Sequence, residues 1–317
     1  MSNNTLMHSP ICPICNSHDF NEMFSNTVEA NEWNLNGKRY AYVQCNNCKF
    51  LHCNPLPDEN ELNDFYRNIY AYEWFKDNSF FKKIQAKHRL FKIRSHLSTK
   101  TKILDFGCGH GFFVEEAGKK GLNSHGFDIG VDKIINNKGY RIVNKNQISE
   151  YNEKNFDIIT AWHVLEHMRE LNYIINDLKS RLVDKGKLII ALPNIDSLGF
   201  RLYGQKWGWT QQPYVHINHF TIHNLSLLMK NHGLKVVSVT TMDTWDQNLY
   251  DLIVTRLFYK RKSRNTVRQF GTSLKGQLFF RLNQLVRLIF TPISYTYSFI
   301  RKSKNEGSEI MIVAEKI

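Results

Sequence analysis

The chain has 317 residues, 42% of them apolar, and a formal net charge of +13, which leaves room for one large domain with an appendage or two modest ones. The polar stretch from Met1 to Pro10 lacks the apolar run of a secretory signal, so cytosolic residence with reduced cysteines is the expectation and a disulfide framework is set aside. The basic balance calls for an anionic partner but does not choose among a nucleotide-linked substrate, a nucleic acid and a membrane surface.

Residues 1–53 are rich in Asn and short in apolar periodicity, so they bury too little surface to fold without a staple. Cys12 and Cys15 form one C-x-x-C and Cys45 and Cys48 a second. Two such knuckles supply four thiolates for a tetrahedral zinc, and a closed four-sulfur set leaves no open position, so the expected role is structural. Residues 54–98 read as a helical connector opened by Asn54-Pro55-Leu56-Pro57, with Tyr66, Tyr70, Tyr72, Trp74, Phe75, Phe80 and Phe81 expected to pack against the next domain.

From Lys102 onward strands alternate with helices. Strands are expected at Ile103 to Phe106, Ser124 to Phe127, Arg141 to Val143, Phe156 to Thr160, Lys187 to Leu192, Leu234 to Thr241 and Glu309 to Lys316. Helices are expected at Phe112 to Lys120, Val131 to Asn137, Met168 to Val183 and Ile222 to His232. The alternation predicts an α/β domain over 99–317 with a doubly wound, mostly parallel seven-stranded sheet, interrupted by an insertion at about 243–307.

The first of these strands ends in Asp105-Phe106-Gly107-Cys108-Gly109-His110-Gly111. Glycines at alternate positions let the backbone turn tightly and approach a ligand at the start of the next helix. Asp128 ends the next strand, where an acid can hydrogen-bond a ribose hydroxyl. An acid two places before the first glycine disfavours a pyrophosphate and suits a cationic sulfonium with an amino-acid end. Cys53 and Cys108 remain over, Cys108 as a packing residue in the turn.

Together with Phe156-Asp157-Ile158-Ile159-Thr160-Ala161-Trp162-His163-Val164-Leu165-Glu166-His167, these motifs resemble class I S-adenosylmethionine-dependent methyltransferases over about 100–241 plus the last strand. The front of the chain, with C-P-I-C, Tyr42 to Cys48, the Asn54 to Pro57 stretch and Tyr66, resembles the zinc-ribbon extension carried by a subset of that family. The resemblance implies that Asp105, Phe106, Gly107, Gly109, Gly111, Asp128, Ile129, Trp162 and His163 bind S-adenosylmethionine. No clear acid follows Arg141 to Val143 to meet the adenine, and only Asn146 to Ser149 stands near that position.

The stretch Pro193 to Phe220 carries Trp207, Trp209, Gln211, Gln212, Tyr214, His216 and His219, and its P-Y-V-H-I-N-H-F resembles a segment that closes over substrate. Methyl transfer to a hydroxyl needs a base. His216 is the first candidate, with His219, His163, Glu166 and His167 as open alternatives.

Residues 252–305 hold twelve Lys or Arg and no Asp or Glu, interleaved with Leu282, Leu285, Ile289 and other apolar residues. The longest uncharged run, Leu288 to Ile300, contains Pro292 and is too short to span a bilayer, which needs about 20 residues. An ordinary capping helix with a solvated basic face and a peripheral contact with an anionic membrane at its inner face are the two readings, the membrane ranking ahead of nucleic acid. The expected activity is methyl transfer to a small or carrier-linked acceptor, such as a sugar of surface-glycan or secondary metabolism. RNA methylation and a non-enzymatic binding module retaining the fold are the alternatives.

Overall fold

In the computed structural model of the chain, the described residues are 11–27, 39–60, 62, 79–129, 135–137, 140–144, 148–210, 215–243, scattered positions between 282 and 300, and 304–317. They divide into two compact units, one of 1–193, 211–239 and 311–317 and a smaller one of 194–210 and 240–310.

The larger unit begins with a small antiparallel sheet. Strands β1 (Phe20–Thr27), β2 (Arg39–Cys45) and β3 (Leu51–Asn54) pair in sequence. Helix α1 (Ser79–Lys92) follows. The main sheet then builds through β4 (Lys102–Phe106), α2 (Phe112–Lys119), β5 (Asn123–Asp128), β6 (Ile135–Asn137), β7 (Tyr140–Asn144), β8 (Phe156–Trp162), α3 (Leu171–Arg181) and β9 (Leu182–Pro193). After α4 (Leu198–Tyr203) in the smaller unit come β10 (Asn218–His219), α5 (Ile222–Asn231), β11 (Leu234–Met242) and β12 (Glu309–Lys316).

The main sheet runs β11-β12-β9-β8-β4-β5-β7-β6. The pairs β4–β5, β4–β8, β5–β7 and β8–β9 are parallel, so the expected Rossmann-like sheet is present. One difference is local: the helix expected at Val131 to Asn137 is not formed at its end, where β6 pairs antiparallel with β7 and makes an eighth strand. Asn137 is the register partner of Tyr140.

Apolar residues on one helix face and alternate sheet positions form the core. Ala86 and Leu90 of α1 and Phe113 and Ala117 of α2 close over Ile103, Ile158, Ile189 and Val313, the pattern that period-3.6 helices on a pleated sheet produce. Phe80 departs from its expected packing role and is exposed, and Tyr66, Tyr70, Tyr72, Trp74 and Phe75 lie outside the described residues.

Within the smaller unit, α4 is capped by Ser197, whose hydroxyl accepts the Phe200 N–H at 3.2 Å. Asn194 donates to the carbonyls of Asn305 and Gly307 at 3.1 and 2.8 Å. Arg201 pairs with Glu306. Every described residue between 282 and 300 is helical.

Candidate functional site

The chain enters the main sheet at β4, adds strands on one side through β5 and β7, and returns to add β8 on the other. The crevice at the carboxyl ends of β4 and β8 is therefore the point where the winding reverses, which is where open α/β sheets bind ligands. Asp105, the glycine turn and His163 all stand at that edge: Phe106 lies level with Ala161 in the β4–β8 register.

The glycine turn has a forced geometry. Gly107, Gly109 and Gly111 adopt φ of +73°, +53° and +75°, values that an L side chain reaches only at a cost of about 1–2 kcal/mol. A Cβ on Gly107 would lie 2.5 Å from Val164 Cγ2, so the turn packs directly on the residue after His163. The Gly107 and Cys108 amides both donate to the Phe127 carbonyl, at 2.8 and 3.1 Å. Cys108 fills the space beside Gly126, where a Cβ would meet its Sγ at 2.8 Å, which makes it the packing residue the sequence suggests.

Both strand-end acids are buried here. Asp128 Oδ2 accepts the Gly109 N–H at 2.7 Å. Asp105 Oδ1 accepts the Thr160 hydroxyl at 2.7 Å. Burial pushes the Asp105 carboxyl up to about 7, with the Asp128 charge adding to the rise, against the pull of the Thr160 hydrogen bond and of Arg89. Two acids enclosed together favour a cationic ligand, so the site fits a sulfonium and ammonium group and does not fit a pyrophosphate. Ile129 beyond them is 39% exposed and offers an apolar face. Trp162 lies elsewhere than expected: its ring packs against Phe113 at 5.7 Å and under Arg89 at 5.1 Å, inside the core. Gln147 and Asn146 lie outside the described residues.

His163 follows β8 with φ +57°, an uncommon conformation for a residue with a Cβ and one that clusters at functional sites. Its Nδ1 is 3.2 Å from Oε1 of the fully buried Glu166. A 3-10 turn, Leu165–His167, brings Glu166 and His167 back toward it. The His167 Nδ1–H donates to the Val215 carbonyl at 2.8 Å, and Asn218 donates to the carbonyls of Leu165 and Met168 at 3.1 and 2.6 Å.

Part of the stretch carrying His216 and His219, read as closing over substrate, joins the small sheet. Asn218 and His219 form β10, paired with His52 and Leu51 of β3, and Tyr42 donates its hydroxyl to the His216 carbonyl at 2.6 Å. Burial also removes His219 from the bases: it is fully enclosed, and desolvation lowers its pKa to about 3. His216 stays partly exposed, its ring 4.7 Å from that of His167. Gln211, Gln212 and Tyr214 lie outside the described residues, and Trp207 is buried in the smaller unit against Phe200. Thr160, Glu166, Asn218 and Tyr42 acquire their places only through contacts that local sequence patterns do not carry.

At the front, Cys12, Cys15, Cys45 and Cys48 converge with their sulfurs within 4.8 Å of one another. Cys12 and Cys48, and Cys15 and Cys45, are each 3.5 Å apart, close to the edge of about 3.8 Å that a tetrahedron with 2.3 Å zinc–sulfur bonds requires. The two knuckles match: Asn16 and Lys49 donate to the carbonyls of Cys12 and Cys45, both at 2.9 Å, and both have positive φ. Cys48 and nearby backbone amides hold the Cys12 thiol down to about 5. The donor set fits zinc and, closed by four thiolates, would hold it structurally. Asn172 and Asn231, from α3 and α5, donate to the carbonyls of Pro13 and Ile14 at 3.0 and 2.6 Å, which fastens the knuckle to the helices.

The family model of a methyltransferase domain matches residues 75–239, more than half of the chain. A ubiquinone biosynthesis O-methyltransferase of Rickettsia bellii is 28% identical over 152 residues, covering 43% of this chain and 63% of the relative. The enzyme of the same name from Bartonella tribocorum is 29% identical over 177 residues, covering 47% and 70%. The chain thus spans under two thirds of the Rickettsia relative. A SAM-dependent methyltransferase from Archaeoglobus fulgidus overlaps 77% of this chain and all of its own, with 18% identity and a TM-score of 0.47. The family-model match over more than half of the chain shows that it belongs to the methyltransferase-domain family.

Proposed function

We propose that the chain methylates a hydroxyl oxygen of a small or carrier-linked acceptor, with His163 as the base. The observation that carries this reading is the 3.2 Å pair of His163 Nδ1 and Glu166 Oε1 beside the glycine turn. A carboxylate beside Nδ1 favours a proton on that nitrogen, an arrangement in which Nε2 would take the proton of an acceptor. Asp105, Phe106 and the three glycines would hold the amino-acid end of the cofactor, and Asp128 with Ile129 its ribose side. The bound cofactor supplies an electrophilic methyl on a sulfonium. The relatives named above are O-methyltransferases, which favours oxygen as the accepting atom. Calorimetry with S-adenosylmethionine, followed by release of S-adenosylhomocysteine with phenolic and sugar acceptors, tests the reading. His163→Ala should lower turnover by about 100-fold or more while the cofactor still binds. Absence of cofactor binding by the folded protein ends it.

The acceptor, or its carrier, is proposed to be met at an anionic membrane surface. Among the described residues no helix is long and apolar enough to cross a membrane. Leu282, Leu285, Ile289, Ile293 and Ile300 are each 53–72% exposed, and their spacing puts them within one narrow arc of a helix. An aliphatic stripe in a segment of twelve cations and no acids suits a helix lying in a lipid interface.

A further inference from the structure

Two neighbouring side chains and a third, 49 residues further on, meet beyond the end of β8. Glu166 and His167 come from the 3-10 turn and His216 from the stretch before β10, and one ligand atom of each lies within 4.8 Å of the others. Glu166 is fully buried, and among the described residues neither of its oxygens has a partner in hydrogen-bond geometry, His163 Nδ1 standing 3.2 Å from Oε1. A carboxylate enclosed in this way is costly without a cation.

The orientation of His167 sharpens this. A carbonyl only accepts, so the contact with Val215 fixes the proton on Nδ1, and Nε2 is left facing Glu166 Oε1 at 4.0 Å. Two lone-pair atoms then oppose each other. Their separation is too long for a hydrogen bond of about 2.7–3.2 Å, yet two ligands on one ion with bonds of about 2.0–2.2 Å stand roughly 3–4 Å apart. Anchoring the far nitrogen of a histidine on a carbonyl is also how metal ligands are oriented. Asn218, holding the carbonyls on both sides of the turn, fixes the arrangement further.

We propose that Glu166, His167 and His216 form a second metal site, separate from the four cysteines, for a divalent first-row transition ion such as Zn²⁺, Co²⁺ or Mn²⁺. Two imidazoles and one carboxylate select such ions over Mg²⁺ and Ca²⁺, which prefer oxygen ligands throughout. Three protein ligands leave a coordination position open, and His167 and His216 are both partly exposed. On the methyl-transfer reading above, a metal held there would offer that position to the acceptor oxygen. The oxygen loses its proton to His163, forms its bond to the methyl carbon as the sulfur–carbon bond breaks, and S-adenosylhomocysteine leaves.

Co²⁺ titration of the full chain, purified with zinc on its cysteines and treated with a mild chelator, tests the site by itself. The wild type should take up one further equivalent, with weak visible bands and no sulfur-to-cobalt charge-transfer absorption. Glu166→Gln and His216→Ala should each weaken that uptake by about 100-fold or more while keeping one zinc per chain, the sign that the fold is intact. No second equivalent on the wild type at millimolar Co²⁺ overturns the proposal, as does unchanged uptake by zinc-retaining variants. Cofactor calorimetry on the same samples separates this outcome from failure of the methyl-transfer reading, since Asp105 and Asp128 lie outside the proposed ligands.

Discussion

Replacing Asp128 tests the cofactor site most directly, because its carboxylate has two duties. Oδ2 holds the Gly109 amide at 2.7 Å, and the ribose contact is proposed for the same group. Charge-assisted hydrogen bonds contribute about 1.5–3 kcal/mol each, and about 1.4 kcal/mol is tenfold in Kd. Asp128→Ala removes at least the ribose contact and should raise the Kd for S-adenosylmethionine by about 10- to 150-fold, more if the turn relaxes. Asp128→Asn keeps an oxygen for Gly109 and loses only the charge, so it should fall between wild type and Ala, near tenfold. The fold should survive both, because Asp128 adds to the rise of the Asp105 pKa and its removal relieves that repulsion. Calorimetry gives the Kd and a thermal melt the stability. Equal affinity of wild type and Asp128→Ala refutes the ribose role, and equal affinity of Asn and Ala refutes the duty toward Gly109.

Asp105 predicts a pH dependence. Its folded pKa, about 7 against an ordinary 3.8, means that the folded protein holds a proton the unfolded chain has lost, so its contribution to stability is present below about 4 and falls as pH rises through 7. A cationic cofactor favours the ionised form, so affinity should rise with pH up to about 7 with proton release below it; calorimetry in buffers of different ionisation enthalpy checks this, and Asp105→Asn should flatten the profile. Elemental analysis should find zinc on the wild type that Cys12→Ser or Cys45→Ser loses, with unfolding of the front 50 or so residues; zinc-free wild-type protein that keeps its melting profile would refute the structural role. The wild type should float with anionic liposomes at low salt and detach as salt rises, and Leu285→Ser with Ile289→Ser should abolish flotation without changing cofactor affinity; a wild type that ignores anionic liposomes sinks the membrane reading.

What the sequence disclosed follows the range of the interactions. The convergence of the four cysteines was legible because each C-x-x-C turn is local: it brings two thiols together, and the matching turns at Asn16 and Lys49 repeat the same geometry. The sheet was legible for a similar reason, since Ile103 to Phe106 and Phe156 to Thr160 are apolar runs buried between helices. The end of the helix expected at Val131 to Asn137 shows where helical periodicity loses to strand pairing. Val131, Ile134 and Ile135 have helical spacing, but Ile135 to Asn137 pair antiparallel with β7. Glu166 and His216 stand 50 residues apart, and nothing in either neighbourhood signals that they meet. The two-residue β10 is too short to carry a pattern, and its pairing with β3 reaches back more than 160 residues.

That pairing alters how the zinc ribbon is understood. A closed four-sulfur site performs no chemistry, and a ribbon merely tethered to the domain would have no bearing on the acceptor. Here β10 completes the ribbon's sheet, while its Asn218 holds the turn that carries Glu166 and His167. Tyr42 on β2 holds the His216 carbonyl, and Phe50 packs against Phe220 with ring centroids 5.2 Å apart. The glycine turn and the two strand-end acids depend on none of these contacts, since they are fixed by Phe127, Thr160 and Gly109. The four-cysteine unit and its sheet therefore support the histidine cluster and leave the proposed cofactor cradle to the main sheet. Loss of the zinc should act on turnover before it acts on cofactor affinity, because the first element it loosens is the sheet on which β10 is laid.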